Sequence, residues 1–260
     1  SVAVDLKDPR GRSAFLRLAR DADVIVEGFR PGVVAALGVD HAACAAVNPR
    51  VVYASISGYG QTGPRAALAG HDINYLGWAG VLDQTGSRGG APALSNLQVG
   101  DLLGGAQAAV QGILAALLGV KMGGAGRFVD ISMTDTVLAH NIMPLAAVNN
   151  FGSAPTPGRD LLTGGVPCYN VYRTRDDRFM AVGALELKFW EGCCDVLARP
   201  DLKSSHWSLG QAVGGTEAMA IKTELDAIFA QQTLATWSER FAAVDCCVSP
   251  ILRMDEALAH

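Results

Sequence analysis

Residues 51–56 read VVYASI, a run of apolar and β-branched side chains typical of a strand buried on both faces. A second short run of this kind, VIV, occupies residues 24–26. Helical spacing and start signals mark residues 9–19 and 40–47, which lie before and between these two strands. Strands that alternate with helices predict an α/β fold built on an open parallel sheet. Ligands bind such sheets at the carboxyl ends of the strands, so the residues after each strand are candidate site residues.

The remaining elements are predicted from the same patterns. Residues 1–6 are expected to form a further buried strand and residues 128–132 another. Residues 101–122 are predicted to form one long core helix, and residues 133–149 a second helix. The helical run that begins at Asp101 contains a Gly104-Gly105 pair one turn in, which weakens a helix and indicates that another helix or a ligand packs closely there.

The domain organisation follows from a change of character along the chain. Residues 1–152 are predicted to form a large Rossmann-like domain and residues 153–165, rich in Pro and Gly, a linker. Residues 166–250 then read as a small α+β domain that opens with a hairpin. Because the chain starts directly on a strand pattern and stops in a helical one, we expect a fragment of a longer protein, with residues 251–260 beginning a return to the large domain and an N-terminal unit missing.

Composition restricts the class of protein. Half of the 260 residues are hydrophobic, 18% are charged and the net charge is −4, which predicts a well-buried globular protein. With no basic stripe and no uninterrupted membrane-length apolar run, neither nucleic acid nor a membrane is expected as a partner. The six cysteines and five histidines show no metal-ligand spacing, so no metal is expected. The cysteines read as buried small hydrophobes in a cytoplasmic protein.

The best candidate for a reactive group is His71 in the stretch Gly70-His71-Asp72-Ile73-Asn74-Tyr75. The apolar spacing that follows predicts a buried helix beginning at or just after His71. A base beside the free N–H groups of a helix start suits proton abstraction next to a carbonyl group. The alternative is that His71 and Asp72 simply cap the helix. Asp101 and Glu186 also fall at glycine-rich element starts, where each could be an ordinary acid at a helix start.

Two further features remain open at this stage. Residues 58–63 fit the spacing Gly-x-Gly-x-x-Gly, but Pro64 follows and no long helix starts there, so the loop is a weak cofactor fingerprint. Glu27 and Arg30, after the second strand, form either a surface pair or part of a ligand pocket.

Taken together and in order, these segments resemble the class III CoA-transferase family, also called the carnitine dehydratase or bile-acid-inducible family, and within it the α-methylacyl-CoA racemases. The matching segments cover the whole chain: residues 3–7, 27–33, 58–64, 70–75, 100–101, 160–165 and 181–186. The resemblance implies an interlocked homodimer, an acyl-CoA substrate and no tightly bound cofactor, because coenzyme A enters as part of the substrate. A role in lipid metabolism is implied as well.

The resemblance also implies roles for individual residues. His71 and Asp101 would be the catalytic bases, Glu186 would partner the histidine, and the backbone N–H of Asp72 would bind the enolate oxygen. CoA and substrate contacts would map onto two segments and one aromatic residue: Val4, Asp5, Leu6, Lys7, Gly70, Asp72, Ile73, Asn74, Tyr75 and Tyr169.

Three functions are therefore compared. The first is racemisation of 2-methylacyl-CoA or 2-methylarylacyl-CoA thioesters, in which His71 and Asp101 act on opposite faces of an enolate. The second is transfer of CoA between carboxylic acids, with Asp101 as the nucleophile that forms an anhydride and then a thioester. The third is a non-catalytic CoA-binding fragment.

Overall fold

β2 (Val52–Ser57) lies at the centre of a three-stranded parallel sheet, between β1 (Val24–Glu27) and β3 (Arg127–Ser132). The computed structural model describes residues 1–259. β2 is almost entirely buried, because it has a strand on each side and apolar contacts on its faces. The predicted parallel sheet is confirmed, and all three strands point their carboxyl ends the same way.

The chain divides into two units. The first consists of Ser1–Thr85 and Ala93–Gly152, and the second of Gly86–Pro92 together with the chain from Ser153 onward. The short segment Gly86–Pro92 thus belongs with the second unit, although the sequence places it inside the large domain. The described part of residues 251–260 also packs on the second unit, where Arg178 and Glu256 form an ion pair with a closest N–O distance of 2.6 Å.

Helices connect the strands of the first unit. They are α1 (Pro9–Ala19), α2 (Val33–Ala36), α3 (His41–Val47), α4 (Asp72–Trp78), a π-helix (Gly100–Gln107), α5 (Ala108–Lys121), α6 (Met133–His140) and α7 (Ile142–Phe151). The N-caps of α1 and α3 are Asp8 and Asp40, each of which accepts a backbone hydrogen bond from the first turn, so the helix predicted over 40–47 begins one residue later, at His41.

Two predictions for this unit are wrong, and a third is right in extent but not in helix type. Residues 1–6 form no strand and are mostly exposed, and no strand within the described residues pairs with them. The helix predicted from Asp101 begins at Gly100, and its first two turns are π-helical. The helix predicted over 133–149 is two helices, separated at Asn141. Pro144 explains the break, because it lacks the N–H that would bond to the carbonyl four residues earlier.

The long helical segment Gly100–Lys121 is also less buried than a core helix. It is long and apolar enough to cross a membrane, yet only 22% of its most apolar window is buried within this chain. Its glycine face packs on α6 and β3, where a Cβ at Gly112 would meet Val129 at 2.7 Å. The opposite face leaves Leu114 and Leu118 about 60% exposed. Exposed apolar surfaces of this extent are typical of faces that another protein surface covers.

The second unit is an antiparallel sheet covered by helices. Its strands are β4 (Tyr169–Arg173), β5 (Phe179–Gly183) and β6 (Val248–Pro250), in the order β4-β5-β6. The helices are α8 (Leu187–Val196), α9 (Thr216–Phe229), α10 (Leu234–Ala242) and α11 (Met254–Leu258). The hairpin predicted for this region is present, with Tyr169 paired to Gly183 and Arg173 to Phe179.

Candidate active site at the start of α4

A cleft of about 460 Å³ opens at the carboxyl ends of β1 and β2. Residues 28–31 after β1 and 56–59 at the end of β2 form one side of it, and residues 68–71 with Asn74 and Tyr75 form the other. This is where ligands bind in open parallel sheets. The cleft also exposes Arg30, which forms no ion pair or side-chain hydrogen bond within the described residues. Of the two readings left open for Arg30, the structure therefore favours a pocket residue.

Glu27 has a different role from its neighbour Arg30. Its carboxylate accepts hydrogen bonds from the backbone N–H of Phe29, at 2.7 Å, and from the hydroxyl of Ser55. These contacts hold the turn that follows β1 against β2. Glu27 therefore shapes the cleft and leaves the Arg30 guanidinium without a carboxylate partner.

Tyr75 fixes the position of the stretch that carries His71. Its hydroxyl donates a 2.6 Å hydrogen bond to the carbonyl of Gly70, and its ring packs edge-on to Tyr59. A Cβ at Gly58 would come within 2.2 Å of the Tyr75 ring, and one at Gly70 within 2.7 Å. Both glycines are thus required by the close approach of this one aromatic ring.

His71 is the N-cap of α4, as the sequence predicts, and it lies exposed at the cleft. Its backbone N–H donates to the side-chain oxygen of Asn74 at 3.1 Å, which closes the first turn of the helix. The backbone N–H of Asp72, the next residue, has no acceptor within the described residues. α4 is only partly buried, since Tyr75 and Leu76 face inward while Ile73 and Trp78 are exposed.

Asp101 lies near His71 although 30 positions separate them in the chain. Its backbone N–H donates a 3.0 Å hydrogen bond to Oδ1 of Asp72, which places the start of the π-helix against the start of α4. Partial burial raises the pKa of the Asp101 carboxyl, the negative charge of Asp72 raises it further, and His71 opposes both effects. His71 and Asp101 are therefore close enough to interact electrostatically, and no hydrogen bond joins their side chains in the described chain.

The Gly104-Gly105 pair is explained by helix packing. A Cβ at Gly104 would lie 2.8 Å from the carbonyl oxygen of Met133 at the start of α6, and one at Gly105 would lie 3.1 Å from the Met133 sulfur. Of the two alternatives that the sequence leaves open, a neighbouring helix accounts for the pair. This packing brings the start of α6 and the end of β2 against the π-helix.

The glycine-rich loop after β2 is held by protein groups. The Asp130 carboxylate accepts a hydrogen bond from the backbone N–H of Gln61, and the hydroxyl of Thr134 donates to the carbonyl of Gly58 at 2.7 Å. Gly60 and Gly63 adopt positive φ angles of 80° and 90°. No helix begins at the loop. Its resemblance to a dinucleotide fingerprint therefore reflects turn geometry alone.

Other predicted site residues lie elsewhere. Residues 4–7 do not line the cleft; the Asp5 carboxylate accepts the Lys7 N–H, and the Asp5 carbonyl lies against Gly11 of α1. Asp72, Ile73 and Asp101 are not among the residues that line the cleft either, although all three lie close to His71 in the chain or through the Asp72–Asp101 hydrogen bond. Glu186 and Tyr169 belong to the second unit, where Glu186 is the exposed N-cap of α8 and Tyr169 begins β4 against the apolar core.

One polar residue in the cleft was not predicted from sequence. The hydroxyl of Ser57, the last residue of β2, is buried beside the cleft and has no hydrogen-bond partner within the described residues. The signal that could have found it is its place at the carboxyl end of a central parallel strand.

Comparison with known proteins identifies the family of this chain. The CoA-transferase family III profile matches residues 1–260. Human alpha-methylacyl-CoA racemase is 36% identical over 261 residues, which cover all of this chain and 67% of the human protein. Acetyl-CoA:oxalate CoA-transferase from Acetobacter aceti is 31% identical, over 99% of this chain and 66% of that enzyme.

Solved structures show the same fold. A CAIB/BAIF family protein from Brucella suis superposes with a TM-score of 0.83 at 22% identity, over all of this chain and 68% of that one. Rv3272 from Mycobacterium tuberculosis gives 0.81 at 25% identity, with 68% of its chain covered. The chain thus spans about two thirds of the length of the relatives that it matches. By profile, sequence identity and fold, the chain belongs to the CoA-transferase family III.

Proposed function

We propose that this chain carries the proton-transfer groups of an isomerase that racemises 2-methylacyl-CoA or 2-methylarylacyl-CoA thioesters. One observation carries the proposal. The backbone N–H of Asp101 donates a 3.0 Å hydrogen bond to the carboxylate of Asp72, the neighbour of His71, so the helix starts that carry His71 and Asp101 lie against each other. Two titratable groups arranged in this way can act on opposite faces of one carbon atom. The identity to human alpha-methylacyl-CoA racemase supports the same function.

The reaction needs no oxidant or cofactor. One base removes the α-proton of the thioester, and the electron pair moves onto the carbonyl oxygen to give an enolate. The other group then donates a proton to the opposite face of the α-carbon, which inverts its configuration. His71 is the base in one direction, and Asp101 is the base in the other. The raised pKa of the Asp101 carboxyl suits this role, because it brings proton release closer to neutral pH.

The enolate oxygen needs a hydrogen-bond donor. The Asp72 backbone N–H is the best candidate, since it follows His71 directly and has no acceptor within the described residues. A preorganised donor of this kind contributes roughly 3–4 kcal/mol in acyl-transfer enzymes. In this proposal the cleft beside His71 receives the CoA moiety, and the unpaired Arg30 guanidinium supplies a positive charge for its phosphates. The role that the family resemblance gives Glu186, as the partner of the histidine, stays a prediction.

The test is exchange of the α-proton for deuterium when one enantiomer of a 2-methylacyl-CoA is incubated in D₂O with the full-length protein. We expect deuterium at the α-carbon and loss of optical purity. His71→Ala should remove exchange in at least one direction, whereas His140→Ala, at the exposed end of α6, should leave it unchanged. Absence of deuterium from the wild-type reaction would exclude racemisation.

CoA transfer is the second candidate, and the identity to acetyl-CoA:oxalate CoA-transferase favours it. In this reaction the Asp101 carboxylate attacks the thioester carbonyl and releases the CoA thiolate, which leaves a mixed anhydride. The thiolate then attacks the aspartyl carbonyl, so that an aspartyl-CoA thioester forms and the first acid departs. Borohydride or hydroxylamine added during turnover should then modify Asp101. His71→Ala separates the two functions, because it should spare transfer.

We also propose that the chain functions as a homodimer. The exposed apolar residues of α5 and α7 support this, since Leu114 is 61% exposed and Phe151 is 82% exposed.

A non-catalytic CoA-binding role remains the third alternative. Binding of a CoA thioester without either exchange or transfer by the full-length protein would support it.

A further inference from the structure

The side chain of Asp72 connects His71 and Asp101, the two proton-transfer groups of the proposed function. Asp72 is the first residue of α4, directly after His71. Its Oδ1 accepts a 3.0 Å hydrogen bond from the backbone N–H of Asp101, which lies in a different helix 29 positions further along the chain. One residue therefore links the helix start that bears His71 to the helix start that bears Asp101.

The close approach of the two helix starts depends on this contact and on a glycine. A Cβ at Gly100 would lie 2.8 Å from Oδ1 of Asp72, so a larger residue would push the carboxylate away from the π-helix. The N-cap of the π-helix is Val99, which has no polar side chain to satisfy the free N–H groups of the first turn. The acceptor for one of these groups is supplied by α4.

We propose that Asp72 is a positioning residue for His71 and Asp101. Its carboxylate holds the start of the π-helix against the start of α4, so that Asp101 and His71 keep a constant separation. This inference rests on the proposed function of His71 and Asp101. It concerns the Asp72 side chain alone and is independent of any role of the Asp72 backbone N–H.

The same carboxylate sets the charge environment of Asp101. The groups that face Asp101 are His71 and Asp72 at the start of α4 and Tyr75 one turn later. After partial burial, the negative charge of Asp72 is the next cause that raises the pKa of the Asp101 carboxyl, and His71 acts in the opposite direction. If Asp72 positions Asp101, replacing its charged carboxylate should change the pKa of the Asp101 carboxyl. A contact between neutral groups would leave that pKa unchanged.

The experiment uses the full-length protein with ¹³C-labelled aspartate carboxyl groups, and follows the Asp101 signal by NMR as a function of pH. The signal is identified as the one missing from Asp101→Asn. Asp72→Asn keeps an oxygen acceptor for the Asp101 N–H but removes the charge, whereas Asp72→Ala removes both. Asp21→Asn is the matched control. Asp21 is exposed and precedes β1, and its substitution makes the same change in net charge.

We expect the pKa of Asp101 to fall in Asp72→Asn and to stay unchanged in Asp21→Asn. Because a small displacement of a catalytic group has a large effect on rate, α-proton exchange should fall about tenfold or more in Asp72→Ala and by less in Asp72→Asn. Circular dichroism and thermal unfolding report whether each variant is folded. If Asp72→Ala does not fold, Asp72→Asn alone provides the test.

Two results would overturn the inference. One is an Asp101 titration in Asp72→Asn that matches the wild type; the other is wild-type exchange in a folded Asp72→Ala. A wild-type protein without any exchange activity would instead contradict the proposed function. The NMR titration would still decide whether Asp72 controls the ionisation of Asp101.

Discussion

The two units of this protein bury their apolar residues very differently. In the second unit, Trp190, Phe229 and Trp237 are at most 2% exposed, and the Phe229 ring stacks on Tyr172 with 4.7 Å between centroids. In the first unit, α5 and α7 leave large apolar side chains open, and the titratable residues His71 and Asp101 are exposed. The second unit is closed on itself by side-chain packing. The first is held by its sheet and by backbone approaches at glycines, and it keeps its reactive groups accessible.

The largest expected effect is on the rate of α-proton exchange, at Asp101 in the first unit. Asp101→Asn keeps the shape of the side chain but removes the group that accepts and donates the proton. Positioned general acids and bases contribute about 10²–10⁴-fold, so α-proton exchange should fall by that factor. Because the side chain is exposed, the melting temperature should hardly change. A variant with wild-type exchange would remove Asp101 from the mechanism.

The next effect tests the closed core of the second unit. Phe229→Ala removes a fully buried ring that contacts Tyr172, Trp237 and Phe241, and should lower the free energy of unfolding by about 3–5 kcal/mol. Phe151→Ala is the matched control, because that ring is 82% exposed in this chain. Chemical denaturation measures both. Equal losses would show that the second unit does not depend on its aromatic cluster, or that Phe151 is covered in the assembled protein.

A smaller effect tests glycine packing in the first unit. Gly58→Ala would place a methyl group within 2.2 Å of the Tyr75 ring and should destabilise the protein by about 1–3 kcal/mol. Gly77→Ala, inside α4, would place its Cβ more than 4 Å from any neighbouring group outside the helix backbone, and should instead stabilise the protein by up to about 1 kcal/mol. Opposite signs from the same substitution would separate close approach from helix propensity. Destabilisation by both would contradict the description of α4 as loosely packed at Gly77.

The smallest change concerns thiol reactivity and leaves the fold intact. Five cysteines are buried and Cys247 is exposed. Burial raises the pKa of Cys168 and of Cys194 to about 12, and burial with nearby Asp40 raises that of Cys44 to about 11. Since the thiolate is the reactive form, raised pKa values mean little reactivity at pH 8. A thiol reagent should modify Cys247 quickly and the other five only after unfolding. Rapid modification of a second thiol would show that a core opens.

Much of the first unit can be predicted from local sequence. The strands at 24–26 and 51–56 are apolar runs interrupted by Ser55 alone, and Asp8-Pro9 and Asp40 are helix start signals that act within one turn. The start of α4 at His71 is local in the same sense. The prediction for residues 1–6 failed because a strand needs a distant partner, and no strand among the described residues pairs with them. The division of residues 133–149 was predictable from the sequence, because Pro144 is a local helix breaker.

By itself the sequence determined the family, the parallel sheet and the identity of the candidate bases, because apolar periodicity, capping residues and motif order are all properties of neighbouring positions. Only the tertiary structure decided which candidates meet. It joined Asp72 to Asp101 across 29 positions, assigned Arg30 to the cleft, and explained Gly58 and Gly104 by the atoms that approach them. Such contacts depend on how helices pack in three dimensions, and no local pattern of side chains encodes them.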